Sequence, residues 1–141
     1  MSDDHLRRIA PGKFVMDVTL PNPKKGDFKA SENQIRAVQE FYGPFASNSL
    51  TDHQCHVLLS VRSYSRAVTK SLLPSFEFSQ RENISRIAAT LLLKDPQKIR
   101  AVLVWSGIQW HRQPDDPTVI RTKYYSWLIA ELKKIIVAQN L

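Results

Sequence analysis

Residues 51–74 read TDHQCHVLLSVRSYSRAVTKSLLP, and this stretch decides the fold. Its apolar positions recur at spacings of three or four residues, the period of one helical face. These positions, with one serine among them, are Leu58, Val61, Ser65, Val68 and Leu72. Thr51 and Gln54 have the spacing of a capping box, which predicts where the helix begins. Pro74 cannot continue a helix and predicts its end.

Four other helices are predicted from caps and apolar faces of the same kind. Two more capping-box spacings are Ser31 with Gln34 and Ser79 with Glu82. An aspartate followed by a proline is a preferred helix start, and it occurs at residues 95–96 and 116–117. The second of these predicts a long last helix. Its apolar face would comprise Ile120, Tyr124, Leu128, Leu132 and Ile135.

Residues 1–30 differ from the rest of the chain. Residues 14–20, FVMDVTL, are typical of a short strand, and Pro21 and Pro23 would end it. We interpret residues 1–30 as an extended arm that packs on the helices or reaches a neighbour; a partly disordered tail is the alternative. The sequence therefore predicts a mainly α protein. Residues 31–141 would form one domain, a compact bundle of about five helices.

The composition narrows the class of protein. A chain of 141 residues is long enough for one domain with its own core. Cys55 is its only cysteine, so no internal disulfide can form and a reducing compartment is expected. The first ten residues have no apolar signal region, and no apolar run reaches membrane-spanning length. We therefore expect a soluble, cytoplasmic protein with no membrane partner.

The positive charge is concentrated in one block. The chain has a formal net charge of +7. Residues 53–112 hold nine Lys or Arg and three acidic residues, a net charge of +6, whereas residues 1–52 hold seven of each sign. A block of helices with this charge is the electrostatic footprint of a protein that binds a polyanion.

The clearest candidate contacts are Arg62, Arg66 and Lys70. Spacing of four places them on one side of a helix, about 12 Å from first to last, which matches about two phosphate steps of an extended single strand. A solvated helix face is the ordinary explanation for any one of them. However, no acidic residue lies between positions 53 and 74, where an exposed helix usually mixes charges. The predicted nucleic-acid-binding residues are Arg62, Arg66, Lys70, Arg81, Arg86, Lys94, Lys98 and Arg100.

Aromatic residues offer a second kind of contact. Stacking of a base on an aromatic ring contributes about 1–3 kcal/mol. The candidates are Tyr64, Trp105, Trp110, Tyr124 and Tyr125. For the two tryptophans, a place in the core or in a protein interface is the favoured alternative.

Catalytic and metal-binding patterns are weak. His53 and His56 share a helix face, but Cys55 points away from them and four good ligands are not visible. Asp115 and Asp116 are adjacent and point in different directions, which does not suit a nuclease site. We expect no enzyme activity, no metal, no cofactor and no small-molecule substrate.

The leading hypothesis is a non-enzymatic subunit that contacts the phosphate backbone of DNA or RNA without sequence specificity, with a single strand as the favoured form. It would work beside other protein subunits in a larger nucleoprotein complex. The alternative is a protein-interaction adaptor or accessory module whose basic face meets an acidic protein partner. The apolar residues 120–137 and the three tryptophans favour that alternative.

The chain resembles the small subunit of class 1 CRISPR interference complexes of the Cascade type. The resemblance lies in its size, its charge and the general sequence character of residues 35–45 and 57–73. The resemblance covers residues 31–141 in outline and leaves out the arm. It implies a helical bundle without an active site that takes part in antiviral defence. Such subunits bind nucleic acid through its backbone and stabilise the displaced strand. On this resemblance, the backbone contacts would be Arg62, Arg66 and Lys70.

Overall fold

A computed structural model describes residue 26 and residues 28–43, 50–109 and 122–139, except for the side chains of residues 108 and 109. Within these ranges the chain forms five helices. They are α1 (Glu32–Tyr42), α2 (Asp52–Leu72), α3 (Phe78–Leu93), α4 (Pro96–Gln109) and α5 (Tyr125–Ala138). The prediction of a mainly α bundle of about five helices is confirmed. The predicted strand 14–20 and most of the predicted arm lie outside the described residues.

The first two predicted caps are confirmed. At the start of α1, the backbone N–H of Gln34 donates to Ser31 Oγ (3.2 Å), and the N–H of Ser31 donates to Gln34 Oε1 (2.8 Å). At the start of α2, Thr51 and Gln54 make the same reciprocal pair at 3.2 and 2.9 Å. Each pair satisfies two N–H groups that a helix end leaves unbonded. Gly43, at φ +90°, adopts a conformation that glycine tolerates best, and it follows the last residue of α1.

Of the other predicted caps, the one at Asp95 is confirmed and the one at Ser79 is wrong. The N–H of Gln97 donates to Asp95 Oδ1 (2.9 Å), and α4 begins at Pro96 as predicted. The capping box predicted at Ser79 and Glu82 is wrong, because α3 already begins at Phe78. Gln80 instead accepts a hydrogen bond from the N–H of Glu77 (3.3 Å), and the side chain of Glu82 is buried against α2.

The last helix, in contrast to α3, begins later than predicted. Residues 116–117, where its start was expected, lie outside the described residues. Residues 122–124 are not helical, and α5 begins at Tyr125. The hydroxyl of Thr122 accepts from the N–H of Tyr124 (3.3 Å), a local bond that competes with helical hydrogen bonding. The prediction of one unbroken last helix that runs through residue 124 is therefore wrong.

Helix α2 is the centre of the bundle. It packs against α1, α3 and α4, and α3 also packs against α4 and α5. The predicted face of α2 is confirmed, since Leu58, Val61, Ser65 and Val68 are buried and Leu72 is partly buried. Largest among the fully buried side chains are Tyr42, Tyr64, Phe41, Leu50, Leu58, Ile84, Ile87, Leu92, Leu128 and Leu132.

A short extended segment is attached to the start of α2. The N–H of Ala30 donates to the carbonyl of Leu50 (2.9 Å), and the N–H of Asp52 donates to the carbonyl of Phe28 (2.8 Å). The Gln34 amide also donates to Asp52 Oδ1 (2.7 Å), which joins the start of α1 to the start of α2. Among the described residues, no helix has the length and apolar character needed to cross a membrane.

Replacement of Thr51 by alanine should destabilise the protein by about 1 kcal/mol, because it removes the acceptor that caps α2. The measurement is the free energy of unfolding in urea. Ser71→Ala is the matched control, since Ser71 is exposed near the other end of α2. The control should stay within about 0.5 kcal/mol of the parent. Equal losses in the two variants would contradict the role of the cap.

Candidate nucleic-acid interface

The side chain of Glu82 lies at the contact between α2 and α3. Its Oε1 is 3.0 Å from the Nε of Arg66, and only 7% of the Glu82 side chain is exposed, against 41% of that of Arg66. Neighbouring residues on the same face of α3, Ser85 and Ala89, are also buried. Helix α2 has no acidic residue after Asp52, so its charge partner comes from a helix that follows in the sequence.

The guanidinium groups of Arg66 and Arg86 hold the end of α1 in place. The Nε of Arg86 donates to the carbonyl of Phe41 (2.8 Å), which belongs to the last turn of α1. The two guanidinium carbons lie 5.3 and 5.7 Å from the centre of the Phe41 ring, within the range of a cation–π contact. A cation near the C-terminal end of a helix is also favoured by the helix dipole.

We call Arg62, Arg66, Glu82 and Arg86 the arginine seam. Burial lowers the pKa of Arg62, and the charge of Arg66 lowers it further, whereas Tyr42, Glu82 and Glu40 oppose the shift. Burial also lowers the pKa of Arg86. Arginine titrates so far above neutral pH that both groups remain charged. The seam therefore has three permanent positive charges around one carboxylate.

A groove opens beside the seam. Its volume is about 250 Å³. The groove is lined by Arg66, Lys70, Phe78, Arg81, Glu82 and Ser85. Lys70 is exposed at its edge, and 64% of Phe78 is exposed. The Nε atoms of Arg62 and Arg81 are buried without a hydrogen-bond partner among the described residues.

Phe78 is a feature of the groove that the sequence reasoning missed. It is the first residue of α3, and the positions that share its helical face are Arg81, Glu82 and Ser85. An aromatic residue whose helical neighbours are all polar has no local apolar face to join. That mismatch was the signal in the sequence that could have found it.

The structure divides the eight predicted residues into two groups. Arg62, Arg66, Lys70, Arg81 and Arg86 lie along the seam and the groove. The remaining three, Lys94, Lys98 and Arg100, lie at the far end of α3 and on α4. At 1.5 Å per residue, the distance along α3 from Arg81 to Lys94 is about 20 Å. Of the eight, only residues of the first group line the groove.

Lys98 has local partners. Its Nζ is 2.9 Å from Asp95 Oδ2 and 4.2 Å from the centre of the Trp127 ring. The hydrogen bond from Lys98 holds the pKa of the Asp95 carboxyl below its ordinary value. This lysine joins the start of α4 to α5, whereas Lys94 and Arg100 are exposed.

Two of the candidate stacking residues belong to the core. Tyr64 is fully buried, and its hydroxyl is 3.0 Å from Thr122 Oγ1. Its ring makes an edge-to-face contact with Trp105 at 5.0 Å between centroids. Burial raises the pKa of Tyr64. The core alternative for Trp105 is confirmed, neither ring is available to a base, and Trp110 lies outside the described residues.

Among the described residues, no group of three or more His, Cys, Asp or Glu side chains is placed to hold a metal ion. Asp115, Asp116 and His111 lie outside them. No protein-family model, curated protein or solved structure matches the chain. Function is therefore inferred from the seam and the groove themselves.

Glu82→Gln should destabilise the protein by about 1–3 kcal/mol, because it leaves the seam arginines without their anion. The loss should shrink as salt is added and screens their mutual repulsion. Urea unfolding at low and high salt measures both effects. Glu131→Gln is the matched control, since it breaks an exposed pair with Lys134 and should cost at most about 0.5 kcal/mol. A loss no greater than that of the control would contradict this role of Glu82.

Proposed function

We propose that the protein is a non-enzymatic subunit that binds the phosphate backbone of nucleic acid without sequence specificity, within a larger nucleoprotein complex. The observation that carries this proposal is the charge around Glu82. Five basic side chains belong to the seam and the groove, and the carboxylate of Glu82 is buried beside them. Even with Glu40, which also acts on Arg62, these basic groups outnumber the acidic ones, so the surface favours an external anion.

The chemistry of these groups suits phosphate. Arginine presents a planar set of donors that matches phosphate oxygens, and lysine binds phosphate as a point charge. The buried Nε atoms of Arg62 and Arg81 are donors for which the described residues provide no acceptor. Glu82 Oε2 is likewise buried without a partner in the described part of the chain, so hydrogen bonding at the seam is incomplete for donors and acceptors alike.

The basic residues differ in the contacts that they make within the bundle. Arg66 and Arg86 are engaged by Glu82 and Phe41, so they raise the local potential and fix the helices. Lys70 and Arg81 line the open groove and are the proposed phosphate contacts. Contacts of this kind position a protein on nucleic acid but carry no sequence information.

A CRISPR interference complex remains the specific setting that the sequence resemblance suggests, with stabilisation of the displaced strand as the role. Helical bundles host many functions, so the fold class does not select among them. The positive charge of the site supports nucleic-acid binding in general, because it attracts single-stranded and double-stranded polyanions alike. A cytoplasmic location and protein partner subunits belong to the same proposal.

The double variant Lys70→Gln, Arg81→Gln should weaken binding to a single-stranded oligonucleotide. It should also reduce the slope of log affinity against log salt by about 1.4, at about 0.7 per phosphate contact. Fluorescence anisotropy over a salt series measures the slope. Lys133→Gln, Lys134→Gln removes the same charge from exposed positions on α5 and should leave the slope nearly unchanged. Equal slopes for both double variants would contradict the proposed interface.

The adaptor hypothesis has its own supporting observation. Val104 on α4 and Val137 on α5 are large apolar side chains that are 60% and 74% exposed. Under this hypothesis the basic residues meet an acidic protein. The parent protein would then bind neither single-stranded DNA, duplex DNA nor single-stranded RNA at low salt. That result would overturn the nucleic-acid proposal.

A further inference from the structure

We propose that the groove between α2 and α3 holds one unpaired nucleotide, with its base stacked on the ring of Phe78 and its phosphate against Lys70 and Arg81. This inference rests on the proposed function and deepens it, because it selects single strands over duplexes. The six lining residues combine an exposed aromatic ring with cationic side chains. This combination is typical of sites that bind single-stranded nucleic acid.

Phe78 has little structural reason to be aromatic. The ring is 64% exposed, and its neighbours along α3 are polar. An exposed ring forgoes the stabilisation that burial in the core would give it. A base placed over the ring recovers that stabilisation, and every base has a flat face that can stack.

The dimensions of the groove suit one nucleotide. Its volume of about 250 Å³ lies just below the range of about 300–1,000 Å³ that is typical of sites for whole drug-sized ligands. Phe78 and Arg81 are one helical turn apart, about 5–6 Å between Cβ atoms. Lys70, on α2, lines the same groove. A ring and two cations at this separation can contact a base and its own phosphate together.

Glu82 determines where the phosphate lies. Its carboxylate is buried in the lining of the groove and is bound to Arg66. A phosphate placed deep in the groove would be repelled by this carboxylate, whereas the exposed Lys70 attracts it to the edge. The base is uncharged and can lie over the ring. In a duplex both faces of a base are covered by its neighbours, so only an unpaired strand can offer a face to Phe78.

The test uses the full chain with oligothymidylate, oligouridylate and a DNA duplex as probes, and anisotropy over a salt series as the readout. Phe78→Ala should weaken binding to the single strands about 5- to 150-fold, the range that corresponds to loss of one stacked base. The salt slope should not change, because phenylalanine carries no charge. Phe78→Leu should behave like Phe78→Ala, since it keeps an apolar side chain but no aromatic ring.

Two further variants sharpen the test. Phe78→Trp should retain affinity and show quenching of the added fluorophore when a single strand binds. Val104→Ala is the control for loss of an exposed apolar side chain elsewhere, and it should bind like the parent. Thermal unfolding confirms that all variants remain folded, as expected for exposed positions.

The outcomes separate the two proposals. Normal binding by the parent with no loss in Phe78→Ala would overturn the stacking site and leave the backbone-binding proposal standing. An equal loss for duplex and single strand would also overturn it. Failure of the parent to bind any of the three probes at low salt would overturn both proposals. Selective loss for single strands with an unchanged salt slope supports both.

Discussion

The buried carboxylate of Glu82 is the constraint on which the rest of the site depends. It lies where α2 and α3 meet, and it fixes Arg66 at 3.0 Å. Arg86 then fixes the end of α1 through the carbonyl of Phe41. Three helices are thus joined around one charge. Without that carboxylate, like charges would face each other across a half-buried contact, which costs more than exposed charges do in water.

This constraint also explains how structural and functional charges coexist. An ordinary stabilising cluster would match each arginine with an acid. Here the carboxylate of Glu82 lies among several arginines, and the groove beside it is lined by Lys70, Phe78 and Arg81 as well. Under the proposed function, the positive potential of this surface attracts the phosphate backbone. Phe78 adds an apolar surface that charge alone would not supply.

Local signals in the sequence predicted most of the fold, because caps and apolar faces act over a few residues. The caps at Ser31 and Thr51 are confirmed by their hydrogen bonds. The prediction failed at Glu82 because its spacing from Ser79 is that of a cap, while its real partner, Arg66, lies 16 residues away. The candidate site was predictable as a charged block, but not which cations lie along the seam and which line the groove, because that depends on how the helices pack. Phe78 was missed although its polar helical neighbours were a local signal in the sequence.

The most direct test of the central claim is a titration of the isotopically labelled protein with a short oligothymidylate, followed by amide chemical shifts in NMR spectra. The account predicts that the largest shifts cluster at Lys70 and at residues 78–82, with small changes at the exposed Lys133 and Lys134 on α5. Shifts concentrated on α5, or an absence of shifts at low salt, would contradict it.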